Sequence, residues 1–156
     1  MVISDTHGNY LAPLACLDDE GGIDLIIHLG DEINDGRMLQ NLTSIPVILV
    51  PGNCDHDARE PRELCGVLGG QRIFMTHGDI YRVKNGLDAL ARKAVSEKAS
   101  VALFGHTHTP LVLEENGLLL VNPGTLMAAS THRSFAVLTV TTASASAEIF
   151  QAPPHP

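Results

Sequence analysis

The sequence predicts a layered α/β domain in which parallel strands gather polar residues at their carboxyl ends and an antiparallel sheet completes the fold. Three observations carry that expectation. Apolar runs alternate with helix-like stripes through the first half, and the last third is mostly strand-like. Asp, Asn, His and Gly recur where five apolar runs give way to loops.

Taken in order, Val2-Ile3 opens the first strand and leads to Asp5-Thr6-His7. A helix is expected over Asn9 to Glu20, with Leu11, Leu14, Ala15 and Leu17 as its apolar stripe and Gly21-Gly22 as its stop. The apolar run over 24–29 is the second strand and ends at Gly30-Asp31. Asp35 to Leu42 predicts a short helix, Ile45 to Val50 a strand leading to Gly52-Asn53-Cys54-Asp55, and Arg59 to Leu64 at most a helical turn. Gly69-Gly70 separates two extended pieces, of which Arg72 to Thr76 delivers His77 and Gly78. Lys84 to Lys98 has the clearest helical period: Leu87, Leu90, Ala91, Ala94 and Val95 face one way, Asp88, Arg92, Lys93 and Glu97 the other. The run 101–104 then leads to Gly105-His106-Thr107-His108. Leu111 to Leu113 and Leu118 to Val121 flank a glycine-bearing turn as a hairpin, and Ser134 to Thr141 with Glu148 to Gln151 form a second. Residues 1–151 read as one domain, and 152–156 as a frayed tail.

A length of 156 residues allows a substantial single core, and 44% hydrophobic with 18% charged residues excludes disordered and fibrous classes. A formal net charge of −8 argues against stable nucleic-acid binding through a broad basic surface. No apolar run reaches the length of a helical membrane span, and no basic segment precedes a long apolar one, so a cytoplasmic protein without a membrane partner is expected. Cys16, Cys54 and Cys65 lack paired spacing and are expected to be reduced. Nothing in the sequence marks an oligomeric state.

The chemistry is concentrated at the strand ends. In an extended segment, residues i and i+2 point to one side with Cα atoms roughly 7 Å apart, too far for easy chelation of one ion but suited to two neighbouring ions. Asp5 and His7 form one such pair, His106 and His108 another. Asp, Asn and His together suit a first-row divalent metal. Turn residues and polar caps would account for Asp, Asn and Gly here, but not for histidine recurring at the same places.

In their order and spacing, Asp5-x-His7, Gly30-Asp31, Gly52-Asn53-Cys54-Asp55, Thr76-His77-Gly78 and Gly105-His106-Thr107-His108 resemble the calcineurin-like metallophosphoesterases, most closely their small bacterial and archaeal single-domain phosphodiesterase branch. The resemblance covers about residues 2 to 142, and Asn122-Pro123-Gly124-Thr125 is similar to the family's turn after the last ligands. It implies a four-layer α-β-β-α sandwich of two mixed sheets. It also implies a two-metal phosphodiesterase in which one ion takes Asp5, His7, Asp31 and His108, and the second takes Asp31, Asn53, His77 and His106, with Asp31 bridging. A hydroxide held between the ions would attack a small phosphate ester, and no side-chain nucleophile would be needed. Mn²⁺ is the expected metal, with Fe, Zn²⁺ and Ni²⁺ as alternatives. Where many larger relatives have histidine after the asparagine, this chain has Cys54, a poorer proton donor to the leaving group, unless His56 reaches the site.

Of the remaining histidines, His28 reads as a hydrogen-bonded core residue, His56 as either substrate contact or loop surface, and His132 and His155 as exposed. Arg133 reads as surface, with phosphate contact as its functional alternative. Two further functions share the metal centre or the fold: a phosphomonoesterase or cyclic-nucleotide phosphodiesterase, and a catalytically weak scaffold such as the small retromer subunit. Seven retained ligands favour the enzyme.

Overall fold

Alternation along the strands decides the architecture. In the computed structural model, which describes residues 1–19 and 22–154, β5 (Gln71–Thr76), β6 (Val101–Leu103) and β8 (Leu118–Asn122) turn Ile73, Met75, Val101, Leu103, Leu119 and Val121 to one face. Phe74, Ala102, Leu118 and Leu120 face the other way. A sheet apolar on both faces must be covered twice. One face packs on a second sheet, through Val2, Ile27, Leu29, Val50 and Ala136; the other is covered by α3 (Asp88–Ser96), through Leu90 and Ala94.

That second sheet runs β10-β9-β1-β2-β3, from β1 (Val2–Ile3), β2 (Ile26–His28), β3 (Val47–Leu49), β9 (Ser134–Val140) and β10 (Ala145–Gln151). Its outer face carries Ile3, Ile26 and Phe135, which pack with Ala12 and Cys16 of α1 (Leu11–Asp19) and Leu39 of α2 (Ile33–Leu42). The first sheet runs β4-β5-β6-β8-β7, with β4 at Glu63–Leu68 and β7 at Leu111–Glu115. The result is a four-layer α-β-β-α sandwich. Strands β1, β2 and β3 are parallel, as are β5, β6 and β8, so their carboxyl ends lie at one rim.

Several elements differ from expectation for physical reasons. In α1 the buried positions among the described side chains are Ala12, Pro13 and Cys16, while Leu11 is 55% exposed; Leu14 and Leu17 pack only partly. Apolar residues occur nearly all round this helix, so the surrounding sheet sets its phase. Glu20 and Gly21 lie outside the described residues. The turn expected over Arg59 to Leu64 is not helical: Glu63 and Leu64 pair with Thr76 and Met75 as the start of β4. Helix α3 begins at Asp88, because Gly86 (φ 135°) ends a 3-10 turn over Val83–Asn85, and Val95 at its far end is 61% exposed. At the C-terminus Ala152 donates to the Arg133 carbonyl at 2.9 Å and packs on the outer core, so the chain is tied down there. His155 lies outside the described residues.

Candidate metal centre

Every proposed ligand lies just beyond a parallel strand. Asp5 and His7 follow β1, Asp31 follows β2, Asn53 follows β3, His77 follows β5, and His106 and His108 follow β6. One sheet thus contributes both carboxylates, the other three of the four histidines. Three backbone bonds lace the loops together: Asp5 N–H to the Gly30 carbonyl (2.9 Å), His7 N–H to the Asp31 carbonyl (3.2 Å) and Gly105 N–H to the His77 carbonyl (2.9 Å).

The two i, i+2 pairs are not extended, contrary to the sequence-based expectation. Asp5 (φ 54°), His7 (47°), Asp31 (58°), His106 (67°) and His108 (59°) all adopt left-handed backbone. That conformation is costly for residues with a Cβ, and such strain clusters where side chains must be aimed. Close approach sharpens the turns. A Cβ at Gly105 would lie 1.9 Å from Ser4 Oγ and 2.8 Å from Asp5 Oδ2, and one at Gly52 would lie 2.2 Å from Asp31 Oδ1.

Each carboxylate is held by one oxygen and offers the other. Asp5 Oδ2 accepts from Ser4 Oγ (2.6 Å) and the His106 amide (3.0 Å). Its Oδ1 is buried, with His108 Nε2 2.9 Å away. Asp31 Oδ1 accepts from the Cys54 amide (2.9 Å), leaving Oδ2 at 3.5 Å from His77 Nε2 and 3.9 Å from His7 Nε2. His77 Nδ1 must donate to the Leu29 carbonyl at 2.7 Å, which leaves the Nε2 lone pair facing Asp31 and His106 Nδ1, the latter 3.1 Å away.

Ligand atoms of Asp5, His7 and His108 lie within 4.8 Å of one another, as do those of Asp31, His77 and His106. His7, Asp31 and Cys54 form a third, connecting group. Buried carboxylate oxygens facing imidazole nitrogens, Asp5 Oδ1 to His108 and Asp31 Oδ2 to His77, make an oxygen-and-nitrogen donor set that fits divalent cations. Exposed Asn53 stands at the edge, its amide nitrogen donating to Cys54 Sγ at 3.4 Å.

The fields agree with this arrangement. Burial raises the Asp5 carboxyl, but His108, His77 and Ser4 outweigh it and hold it below its usual range. Burial and His77 lower His106, favouring a neutral ligand, whereas Asp5 raises His108. Desolvation and the adjacent Asp31 push the Cys54 thiol up to about 11, so it remains protonated at neutral pH.

Sequence reasoning missed the residue that fixes the Asp31 loop. Asp55 Oδ1 accepts from the Glu32 (3.0 Å) and Ile33 (2.7 Å) amides, and Oδ2 from those of Asp31 (2.9 Å) and Gly52 (2.8 Å). Its signal was its place in Gly52-Asn53-Cys54-Asp55. Asn122 Nδ2 supports the last ligand loop by donating to the Gly105 carbonyl (2.8 Å), and Thr125 Oγ1 donates to the Asp5 carbonyl (2.8 Å). His28 is fully buried as expected: Gly30 N–H donates to its Nδ1 at 3.1 Å, so Nε2–H faces Thr6 Oγ1 at 3.0 Å. His56 is exposed and lines a cleft of about 200 Å³ beside Cys54. Arg133 donates to the Pro153 carbonyl, and His132 is exposed.

The calcineurin-like phosphoesterase superfamily domain matches residues 1–144. The chain is 33% identical over 144 residues to the probable metallophosphoesterase YsnB of Bacillus subtilis, covering 90% of this chain and 83% of that protein. It is 28% identical over 151 residues to the phosphodiesterase YfcE of Escherichia coli, covering 81% and 78%. Among solved structures, a predicted phosphoesterase from Streptococcus pneumoniae superposes with TM-score 0.70 at 28% identity, over 96% of this chain and 95% of that one. Vps29 of Chaetomium thermophilum superposes with TM-score 0.77 at 23% identity, over 96% and 86%.

Proposed function

Because the chain belongs to the calcineurin-like phosphoesterase superfamily and is a metal-dependent phosphoesterase, we propose that it hydrolyses small phosphodiesters at a two-ion centre, with water as the nucleophile. The observation that carries this reading is the pair of ligand groups, Asp5-His7-His108 and Asp31-His77-His106, linked by the neighbouring His7 and Asp31. YfcE, a phosphodiesterase by name, supports the choice of diester.

Asp5, His7 and His108 would hold one ion, His77, His106 and Asn53 the other, and Asp31 both. Bound ions would lower the pKa of water and neutralise charge on phosphoryl oxygens. The protein's part is positional. Leu29 locks the His77 tautomer, Ser4 and the His106 amide orient Asp5, and Asp55 holds the loop that presents Asp31. Cys54, protonated and exposed beside Asp31, is neither nucleophile nor strong acid, so diesters with good leaving groups should be preferred. Mn²⁺ is the proposed metal, and the donor set also accepts Fe, Zn²⁺ and Ni²⁺.

The likeness to Vps29 concerns the fold, and a scaffold has no need of the six ligand residues that gather in two groups. The test is hydrolysis of bis(p-nitrophenyl) phosphate after chelation and again after Mn²⁺ is restored. Activity should vanish and return. Equal rates in both samples would overturn the proposal.

A further inference from the structure

The loop that follows His77 holds a cation without a partner at the rim of the metal centre. Strands β5 and β6 are parallel neighbours, with Met75 opposite Leu103, so the segment after β5 lies beside the ligand loop after β6. Gly78 lets that segment fold back. Its φ is 108°, and a Cβ there would lie 2.9 Å from Val83 Cγ2 and 3.5 Å from Phe104 Cβ. Val83 is 5% exposed and packs with Phe104, two residues before His106. Its amide donates to the Gly78 carbonyl at 3.4 Å, and the turn over Val83–Asn85 is closed by the Asn85 amide on the Arg82 carbonyl (2.8 Å) and the Gly86 amide on the Val83 carbonyl (3.4 Å).

With Val83 buried, the next residue, Lys84, stands in solvent. Among the described residues its ammonium has no hydrogen bond or ion pair. Asp79, which precedes it in the same loop, is occupied: both carboxylate oxygens accept from Arg62 Nη2 at 2.7 Å. The charge of Lys84 nevertheless reaches the centre, where it opposes protonation of His106 and His108, one from each ligand group. A phosphodiester brings one negative charge to its phosphoryl oxygens, which the two ions would meet. A further ammonium at the rim complements a substrate that brings further negative charge.

We propose that Lys84 determines specificity by holding a second anionic group, a phosphate or a carboxylate, carried on one arm of the diester close to the scissile phosphorus. In a chain of formal net charge −8, an unpaired ammonium at this rim sets such substrates apart from diesters with two uncharged arms. The backbone under Lys84 is fixed by Val83, so its side chain works from a rigid base. The assignment rests on the diesterase reading, and the test separates the two.

Three p-nitrophenyl diesters share a leaving group and differ in the other arm, a short alkyl chain ending in methyl, carboxylate or phosphonate. On the Mn²⁺-loaded protein the charged arms should give kcat/KM at least about tenfold above the uncharged one, and the two charged arms show which anion is preferred. Lys84→Gln should remove that ratio, and Lys84→Glu should invert it. Calorimetry reads the same contact without turnover: 3-phosphonopropionate should bind the Mn²⁺-loaded protein about tenfold more tightly than propylphosphonate, and no more tightly than it in Lys84→Gln. Ratios that stay the same in both variants would overturn the assignment. A Lys84-dependent binding preference with no hydrolysis of any diester would uphold Lys84 and sink the diesterase reading alone.

Discussion

The Asp55 carboxylate accepts the backbone amide of Asp31 at 2.9 Å, so the carboxylate that faces both His7 and His77 is positioned by another outside the ligand groups. Three more amides, those of Glu32, Ile33 and Gly52, converge on Asp55. Asp55→Ala would leave four donors without their acceptor. The expected loss is about 3 kcal/mol of stability, since each buried unpaired group costs roughly 1–3 kcal/mol and some would find water. Urea unfolding of the metal-free protein measures it, and a loss below about 1 kcal/mol would contradict the role.

In the proposed two-ion centre Asp31 would serve both ions, so its removal should be felt by both. Asp31→Asn is expected to lower diesterase activity by at least about 100-fold and to abolish the rise in Tm on adding Mn²⁺. In the unaltered protein, metal at about 100 times its Kd should add about 2.7 kcal/mol. A full Mn²⁺-dependent shift in the Asn variant would show that Asp31 is not needed to hold metal.

His28 makes stability depend on pH. Burial pulls its pKa from 6.5 to about 4. Between those values the unfolded chain binds a proton that the folded one refuses, so stability falls as pH drops from about 6.5 to about 4. The full contribution is on the order of 3 kcal/mol. His28→Asn keeps an acceptor near the Nδ1 position for Gly30 and carries no such proton. Thermal unfolding of the metal-free proteins at pH 7 and pH 5 should therefore show a shallower loss for the variant; parallel losses would refute the assignment.

Cys54 predicts leaving-group dependence. A protonated thiol with a pKa of about 11 gives an alkoxide little help. Cys54→Ala should change hydrolysis of an aryl diester less than about threefold, while Cys54→His should raise the rate on an alkyl diester about tenfold relative to the aryl one. Rates that move together on both substrates would remove the proton-donor account.

What could be read from the sequence is what local chemistry determines. The Asn116-Gly117 turn takes left-handed backbone at both residues (φ 52° and 78°), as such hairpins demand, and the ligand residues stand at strand ends as their apolar runs imply. Distant partners decided the rest. Helix α2 begins at Ile33, two residues before Asp35, because Asp55 caps its first amides from twenty-two residues away. The phase of α1 is set by the sheet beneath it. The left-handed ligand backbone depends on loops that pack through Gly52 and Gly105, which pairs of residues two apart cannot reveal.

The division of the proposed ligands between the sheets has a consequence for the whole molecule. Asp5, His7, Asp31 and Asn53 hang from one sheet, and His77, His106 and His108 from the other. Any ion that gathers its set is therefore a cross-link between two halves of the sandwich. Asp5 and the His106 amide are already in contact across 101 residues of sequence. Metal occupancy and the cohesion of the two layers are then one property, and a variant that loosens the seam should lose its ions before it loses its fold.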